Sequence, residues 1–367
     1  MRELQIINHK SKIENVDALI FDMDGVLMDV SESYRAAIRQ TTQIYFETGL
    51  GLAPFAGDLV SRDDVAAFKF ADGFNNDWDL TTALVKYFLF VIASEAKQSP
   101  INNAGIASSH KPLLAMTQEI LIFLRDASAH IHITVEELAR RKDIPAFTRA
   151  VRDAGGGLDA VQKILGARGD ELLFATGDPR ATNLVKRIFE EIYLGAELFR
   201  DEYGESPRVH HGDGLIRRES LIPNLQSLQS LDHLFPLAIA TGRPRNQATF
   251  ALRATGIEKF FGVLVTHEDN VDAEEKHFAA TGERASFGKP HPFSLLQAAR
   301  AIAPENSRCA YIGDTLDDIR AAKAAGFIAI GCLAPAEDKT KMRAEFACIG
   351  ADAVIENPDE LVERLSD

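Results

Sequence analysis

The stretch Ala18-Leu19-Ile20-Phe21-Asp22-Met23-Asp24-Gly25-Val26-Leu27 decides the fold. An apolar run stops at two carboxylates one residue apart, and a glycine follows. An apolar run closed by a turn signal reads as a buried strand. Acids at its carboxyl end then sit where open α/β sheets bind their ligands. The glycine lets the backbone swing round, so Asp22 and Asp24 can face one crevice from different sides. Two like charges that close need a cation, a proton or a hydrogen-bond donor. By itself the stretch also fits a strand-to-loop turn with solvated acids. The rest of the chain separates the two readings.

From Pro223 onward the pattern alternates regularly. It predicts a helix to His233, a strand from Pro236 to Ala240 ending at Thr241-Gly242, and a helix to Thr255. A strand follows from Phe260 to Val265, then a polar loop leading to Gly288-Lys289-Pro290 and a helix from Phe293 to Ile302. The strand Cys309 to Ile312 ends at Gly313-Asp314, and the helix Leu316 to Ala325 is closed by Gly326. Ile328 to Gly331 and Ala353 to Ile355 are further strands, and Glu360 to Leu365 is a last helix. Strands alternating with helices mean crossovers and a parallel sheet. The expected architecture is therefore α/β, a Rossmann-like doubly wound parallel core split between residues 1–30 and 222–367. Residues 31–221 form the insertion, which reads as mostly helical. Within it, Leu184, Val185, Ile188, Ile192 and Tyr193 make one buried stripe, Thr134 with Glu137 marks a helix start, and Arg200 to Arg218 reads as a linker.

Three later segments carry polar residues suited to one task. Thr241-Gly242 offers a hydroxyl and a backbone amide beyond a strand, a way to hold phosphate oxygens, although such a threonine is ordinarily a turn residue. Lys289 is a point charge that could neutralise a phosphate, although a lone lysine is ordinarily solvated. Asp314 lies at a strand end and Asp318 one helical turn on, hard oxygen ligands that suit Mg²⁺ and equally suit helix capping. Gly282 to Lys289 imitates a nucleotide-binding loop, but five residues separate its glycines instead of four, and Pro290 stands where a hydroxyl is needed. The pairs His130/His132 and His210/His211 lack a third ligand at zinc spacing.

An acid pair, a hydroxyl-glycine, a lysine and a second acid cluster follow in this order around the strand ends of a parallel sheet. This arrangement resembles the haloacid dehalogenase-like hydrolase superfamily, in its phosphatase branch with a helical cap inserted after the first motif. Gly73 to Leu80 and Ile192 to Gly204 look like a poorly characterised subgroup of it. The resemblance implies that Asp22 is the nucleophile forming an aspartyl-phosphate, and that Asp24 is the acid to the leaving oxygen and then the base to water. It implies that Thr241 and the Gly242 amide hold the phosphoryl oxygens and that Lys289 neutralises the phosphoryl group and the nucleophile. Mg²⁺ would be held by Asp22, the Asp24 carbonyl and Asp314, with Asp318 in support. Dehalogenases of the family lack the second aspartate, the ATPase pumps carry threonine there, and the phosphonate-cleaving branch a small residue. Asp24 thus favours phosphoester chemistry. A cap admits small substrates, and Asn75, Asn76 and Trp78 in its loop, with Arg243 after Gly242, are the candidate substrate contacts; turn formation, core packing and an ion pair are the alternatives for these residues. The expected function is a Mg²⁺-dependent phosphatase of a small phosphorylated metabolite, a sugar phosphate or phosphoglycolate-like acid. A phosphosugar mutase and a low-turnover phosphoester-binding regulatory protein are the alternatives.

Composition bounds the rest. The 367 residues suggest about two domains, with 46% hydrophobic and 26% charged residues. A net charge of −14 without a long basic run argues against nucleic acid or an anionic membrane as partner. The three cysteines lie far apart and read as buried small hydrophobes in a reducing compartment. Met1 to Val16 has no apolar signal core, and the apolar stretch Val85 to Ala93 is broken by Lys86 and too short to span a bilayer, so a cytoplasmic location is expected. The oligomeric state is not encoded in any motif. Residues 93–112, ASEAKQSPINNAGIASSHKP, are small, polar and without periodicity, and weakly resemble translated interspersed repeats in bacterial genes. They read as a flexible surface insertion, so deleting Glu95 to His110 should leave soluble, active protein, and loss of soluble expression would refute that.

Overall fold

Strand β1 (Ala18–Phe21) is buried along its whole length, as an apolar run in a two-sided sheet must be. The structure, a computed structural model, describes residues 13–74, 76–96, 117–129 and 131–365. Two short strands, β2 (Met28–Asp29) and β3 (Ser220–Leu221), pair antiparallel where the chain leaves and re-enters the sheet domain. The other strands are β4 (Leu237–Ala240), β5 (Val263–Val265), β6 (Cys309–Gly313), β7 (Ile328–Cys332) and β8 (Ala353–Ile355). They form one sheet with β1 in the order β5-β4-β1-β6-β7-β8, every pair parallel. The chain progresses outward from β4 to β5 on one side of β1 and from β6 to β8 on the other. The order therefore switches at β1, where open α/β sheets place their crevice. Helices fill the crossovers, so the core is the doubly wound α/β architecture expected from the alternation. Side chains such as Ile20, Ala240, Tyr311, Ile319 and Phe346 pack its interior.

The chain divides into two units, residues 1–31 with 219–367, and residues 32–218. The second is helical. The helix Asp77–Ala96 is its most apolar and packs against the helices Tyr34–Ile44, Gly157–Leu165 and Leu184–Tyr203. The stripe Leu184, Val185, Ile188, Ile192 and Tyr193 is buried, and Thr134 and Glu137 form the capping box. The helix Asp77–Ala96 extends into the segment read as an insertion; residues 97–112 of it lie outside the described residues.

Three expectations need correction. The polar loop after β5 contains the helix His267–Thr281, started by Thr266, whose N–H meets the Asp269 carboxylate at 2.7 Å, and stopped at Gly282. Only Asn270 of this helix is buried, so it has no apolar stripe to betray it. The linker Arg200 to Arg218 is largely tied down. Helix Leu184–Tyr203 enters it, Leu215–Arg218 is a 3₁₀ turn, and the Gly195 and Gly214 backbones touch, since a Cβ on Gly195 would lie 2.1 Å from the Gly214 nitrogen. Finally, Cys309 and Cys332 are buried, but Cys348 is exposed at the end of the helix Lys339–Cys348.

Buried charge holds the segment after Tyr203. Arg187 and Glu191, one turn apart and both fully buried, pair at 2.7 Å. The other Glu191 oxygen accepts the backbone N–H groups of Arg208, Val209 and His210 at 3.0, 2.7 and 3.2 Å. Removing one partner of a buried pair leaves an uncompensated charge. Glu191→Ala should therefore cost about 3–5 kcal/mol of stability, read by urea denaturation, and a loss below about 1 kcal/mol would show that the pair is dispensable.

Candidate active site

Each strand end at the centre of the sheet delivers one polar residue. Asp22 follows β1, Thr241 follows β4 and Asp314 follows β6. The register Phe21↔Ile312, with the Asp22 N–H bonded to the Ile312 carbonyl at 2.8 Å, sets Asp22 opposite Gly313 and Asp314 one residue beyond it. Gly25 has φ 75°, and a Cβ there would lie 2.3 Å from Asp314 Oδ2, so only glycine lets the first loop pass this acid.

Lys289 is the hub. Its ammonium lies 2.9 Å from Asp22 Oδ2 and 2.7 Å from Asp318 Oδ1, and donates to the Tyr311 hydroxyl at 2.9 Å. A lysine has three N–H donors, and three acceptors receive them. Asp318 is fixed in turn, because its Oδ2 takes the N–H and hydroxyl of Thr315 at 2.9 and 2.7 Å in a capping box that starts the helix Leu316–Ala325. Asp318 thus caps its helix and binds Lys289 at once. Gly313 makes room for it, since a Cβ there would fall 2.2 Å from the Asp318 Cβ.

Burial pushes the Asp22 carboxyl up, to about 7, against the pull of Lys289, and the charges of Asp318 and Asp24 add to the rise. Burial also opposes the Lys289 charge, but Asp22 and Asp318 outweigh it and hold the ammonium well above its usual range. For Asp318 burial acts upward, yet Lys289 and the Thr315 hydrogen bonds bring it below the ordinary carboxylate value. Lys289 and Asp318 are therefore a standing ion pair, and Asp22 is the member whose charge responds to its surroundings.

Asp24 belongs to a second ion system. Arg243 Nε donates to Asp24 Oδ1 at 2.5 Å, Nη2 lies equally close, and Nη1 reaches Glu219 at 2.9 Å. Thr241 is buried, and its hydroxyl accepts the Arg243 N–H at 3.2 Å, while Gly242 is exposed. Asn75 lies outside the described residues. In the helical unit, the Asn76 carboxamide accepts the Trp78 N–H at 2.9 Å. The Trp78 indole donates to buried Glu190 at 2.8 Å, with the Lys186 ammonium 3.5 Å from its ring centre. Sequence reasoning missed Tyr311 and Glu219. Tyr311 shares a β6 face with Gly313, an alternation that could have flagged it, whereas nothing distinguishes Glu219 from other acids in a polar stretch.

Asp22, Asp314 and Asp318 offer oxygens within 4.8 Å of one another, the one such cluster among the described residues. Hard carboxylate oxygens in this number fit Mg²⁺, which keeps waters in its remaining positions. Each Asp318 oxygen already meets two protein donors, whereas each Asp22 oxygen meets one, so Asp22 and Asp314 are the side chains better placed to hold the ion.

A family model described as haloacid dehalogenase-like hydrolase matches residues 16–326, and a second, HAD-hydrolase-like, matches residues 286–367. The chain belongs to the haloacid dehalogenase-like hydrolase family. Among curated proteins it is 26% identical to an imidazoleglycerol-phosphate dehydratase of Phytophthora nicotianae over 322 residues, 87% of this chain and 44% of that protein. It is 28% identical to a phosphoglycolate phosphatase of Escherichia coli over 142 residues, 39% of this chain and 48% of that one. The chain thus spans about half the length of these relatives. A structural-genomics target solved by X-ray crystallography matches with TM-score 0.64 at 20% identity, over 94% of this chain and 97% of that one, a likeness of fold. No described helix is long and apolar enough to cross a membrane.

A carboxylate must lose its proton to bind a metal. With Asp22 raised to about 7, Mg²⁺ binding should release protons near neutrality and weaken as pH falls below that value. Calorimetric titration in buffers of different ionisation enthalpy measures both, and an affinity unchanged from mildly acidic to mildly basic pH would contradict the shift.

Proposed function

We propose that this chain is a Mg²⁺-dependent phosphatase of a small phosphorylated metabolite, acting through an aspartyl-phosphate on Asp22. The observation that carries the reading is Lys289 held between Asp22 and Asp318 at the sheet's switch point, with Asp24 on the same loop. A phosphoryl group presents oxygens, so its transfer depends chiefly on positioning and charge neutralisation. The family assignment and the phosphoglycolate phosphatase relatives support the same chemistry.

In this reading an Asp22 oxygen attacks phosphorus, the ester P–O bond breaks, and Asp24 gives the leaving oxygen its proton. Asp24 then takes a proton from water, which attacks the aspartyl-phosphate, returning Asp22 and releasing inorganic phosphate. Lys289 offsets charge on Asp22 and on the phosphoryl group, and Thr241 and the Gly242 amide hold phosphoryl oxygens. Asp22, the Asp24 carbonyl and Asp314 would hold Mg²⁺, with Asp318 acting through Lys289. The ion would supply charge neutralisation at the phosphoryl oxygens. Asn75, Asn76 and Trp78 are proposed substrate contacts. For Asn76 and Trp78 this role would be added to the hydrogen bonds that they make within the helical unit.

The test is phosphate release from 2-phosphoglycolate, sugar phosphates and imidazoleglycerol phosphate, with Mg²⁺ and with chelator. Chelator-sensitive release is expected, and Asp22→Asn should lower it by at least about a thousandfold, because the nucleophile is gone. Isomer formation without phosphate would instead identify a mutase, and binding without turnover a regulatory protein.

A further inference from the structure

Arg243 stands beyond the motif positions, and its surroundings are unusual. Its side chain is 1% exposed, as is that of Glu219, whereas Asp24 remains 31% exposed. A guanidinium is a rigid planar fork, so fixing one edge fixes the direction of the other. Glu219 holds Nη1, and the remaining edge meets Asp24. The Arg243 backbone is held as well, since its N–H goes to the Thr241 hydroxyl and its carbonyl accepts the His267 N–H at 3.0 Å. Both contacts to Asp24 fall on Oδ1, and neither engages Oδ2. Glu219 also balances the guanidinium charge, so Asp24 is oriented without facing an uncompensated cation.

We propose that Arg243, anchored by Glu219, is a positioning residue that aims the Asp24 carboxyl group at the leaving oxygen, and is not a substrate contact. This rests on the phosphatase reading above. Orientation of a proton donor matters in proportion to how poor the leaving group is. An alkyl phosphate needs the donor, and p-nitrophenyl phosphate, whose leaving phenolate is stable, scarcely does. The quantity kcat/KM covers the steps up to departure of the leaving group, so it isolates the donor role.

The experiment compares kcat/KM for 2-phosphoglycolate and p-nitrophenyl phosphate in wild type, Arg243→Lys and Glu219→Gln, with thermal unfolding of each. Removal of one acid–base contribution is worth about a hundredfold or more. Arg243→Lys should lose about that on the alkyl ester and less than about tenfold on the aryl ester, and from the aryl ester alone, whose first step stays fast while Asp24 is misplaced as base, aspartyl-phosphate should accumulate after acid quench. Glu219→Gln should show the same asymmetry at smaller size, and it keeps the test alive if the arginine variant does not fold. Equal losses on both esters, or a rise in KM alone, would overturn the proposal and return Arg243 to a structural or substrate-binding role. If another ester of the panel above is the substrate it takes the place of 2-phosphoglycolate, and wild-type protein that hydrolyses none of them, nor p-nitrophenyl phosphate, would overturn the phosphatase reading, and this inference with it.

Discussion

The Lys289 ammonium is the point on which the sheet domain converges. Its three donors are met by the loop after β1, by the side of β6 and by the first turn of the helix Leu316–Ala325. A buried charge tolerates no missing partner, so these segments have to arrive together. Tyr311 tightens this further, because its hydroxyl also lies 3.1 Å from Asp318 and 3.2 Å from the Ala240 carbonyl. Strands β1, β4 and β6 are thereby registered to one buried polar cluster as well as to one another.

The second ion system resolves the difficulty posed by two aspartates so close in sequence. Asp22 faces Lys289 and Asp24 faces Arg243. Each carboxylate has its own cation, brought in by a different part of the chain, and the cations carry their own second acids, Asp318 and Glu219. The backbone between supports the separation, with the Met23 N–H turned onto Asp22 Oδ1 at 2.8 Å. Like charges two residues apart can coexist because neither has to be the other's neighbour of last resort.

The helical unit uses the same device for packing. Arg187 and Glu191 are wholly buried, and Glu191 collects three consecutive backbone N–H groups that would otherwise lack partners. A polar stretch that reads as a linker is in this way built into the unit. The close crossing of Gly195 and Gly214 adds a place where no side chain fits.

The sequence by itself determined the alternating core, the acids at the ends of β1 and β6, and the family. Those features are local, since an apolar run, a turn glycine and a capping box are each complete within about ten residues. It could not reveal the helix His267–Thr281, which buries no apolar stripe, nor the pairing of β2 with β3 across some 190 positions. Least of all could it pair Asp24 with Arg243 and Glu219, or give Tyr311 to Lys289. Those partners are far apart in the chain and ordinary in type. Only the tertiary structure decided them, because a buried charge takes whichever opposite charge the fold brings to it.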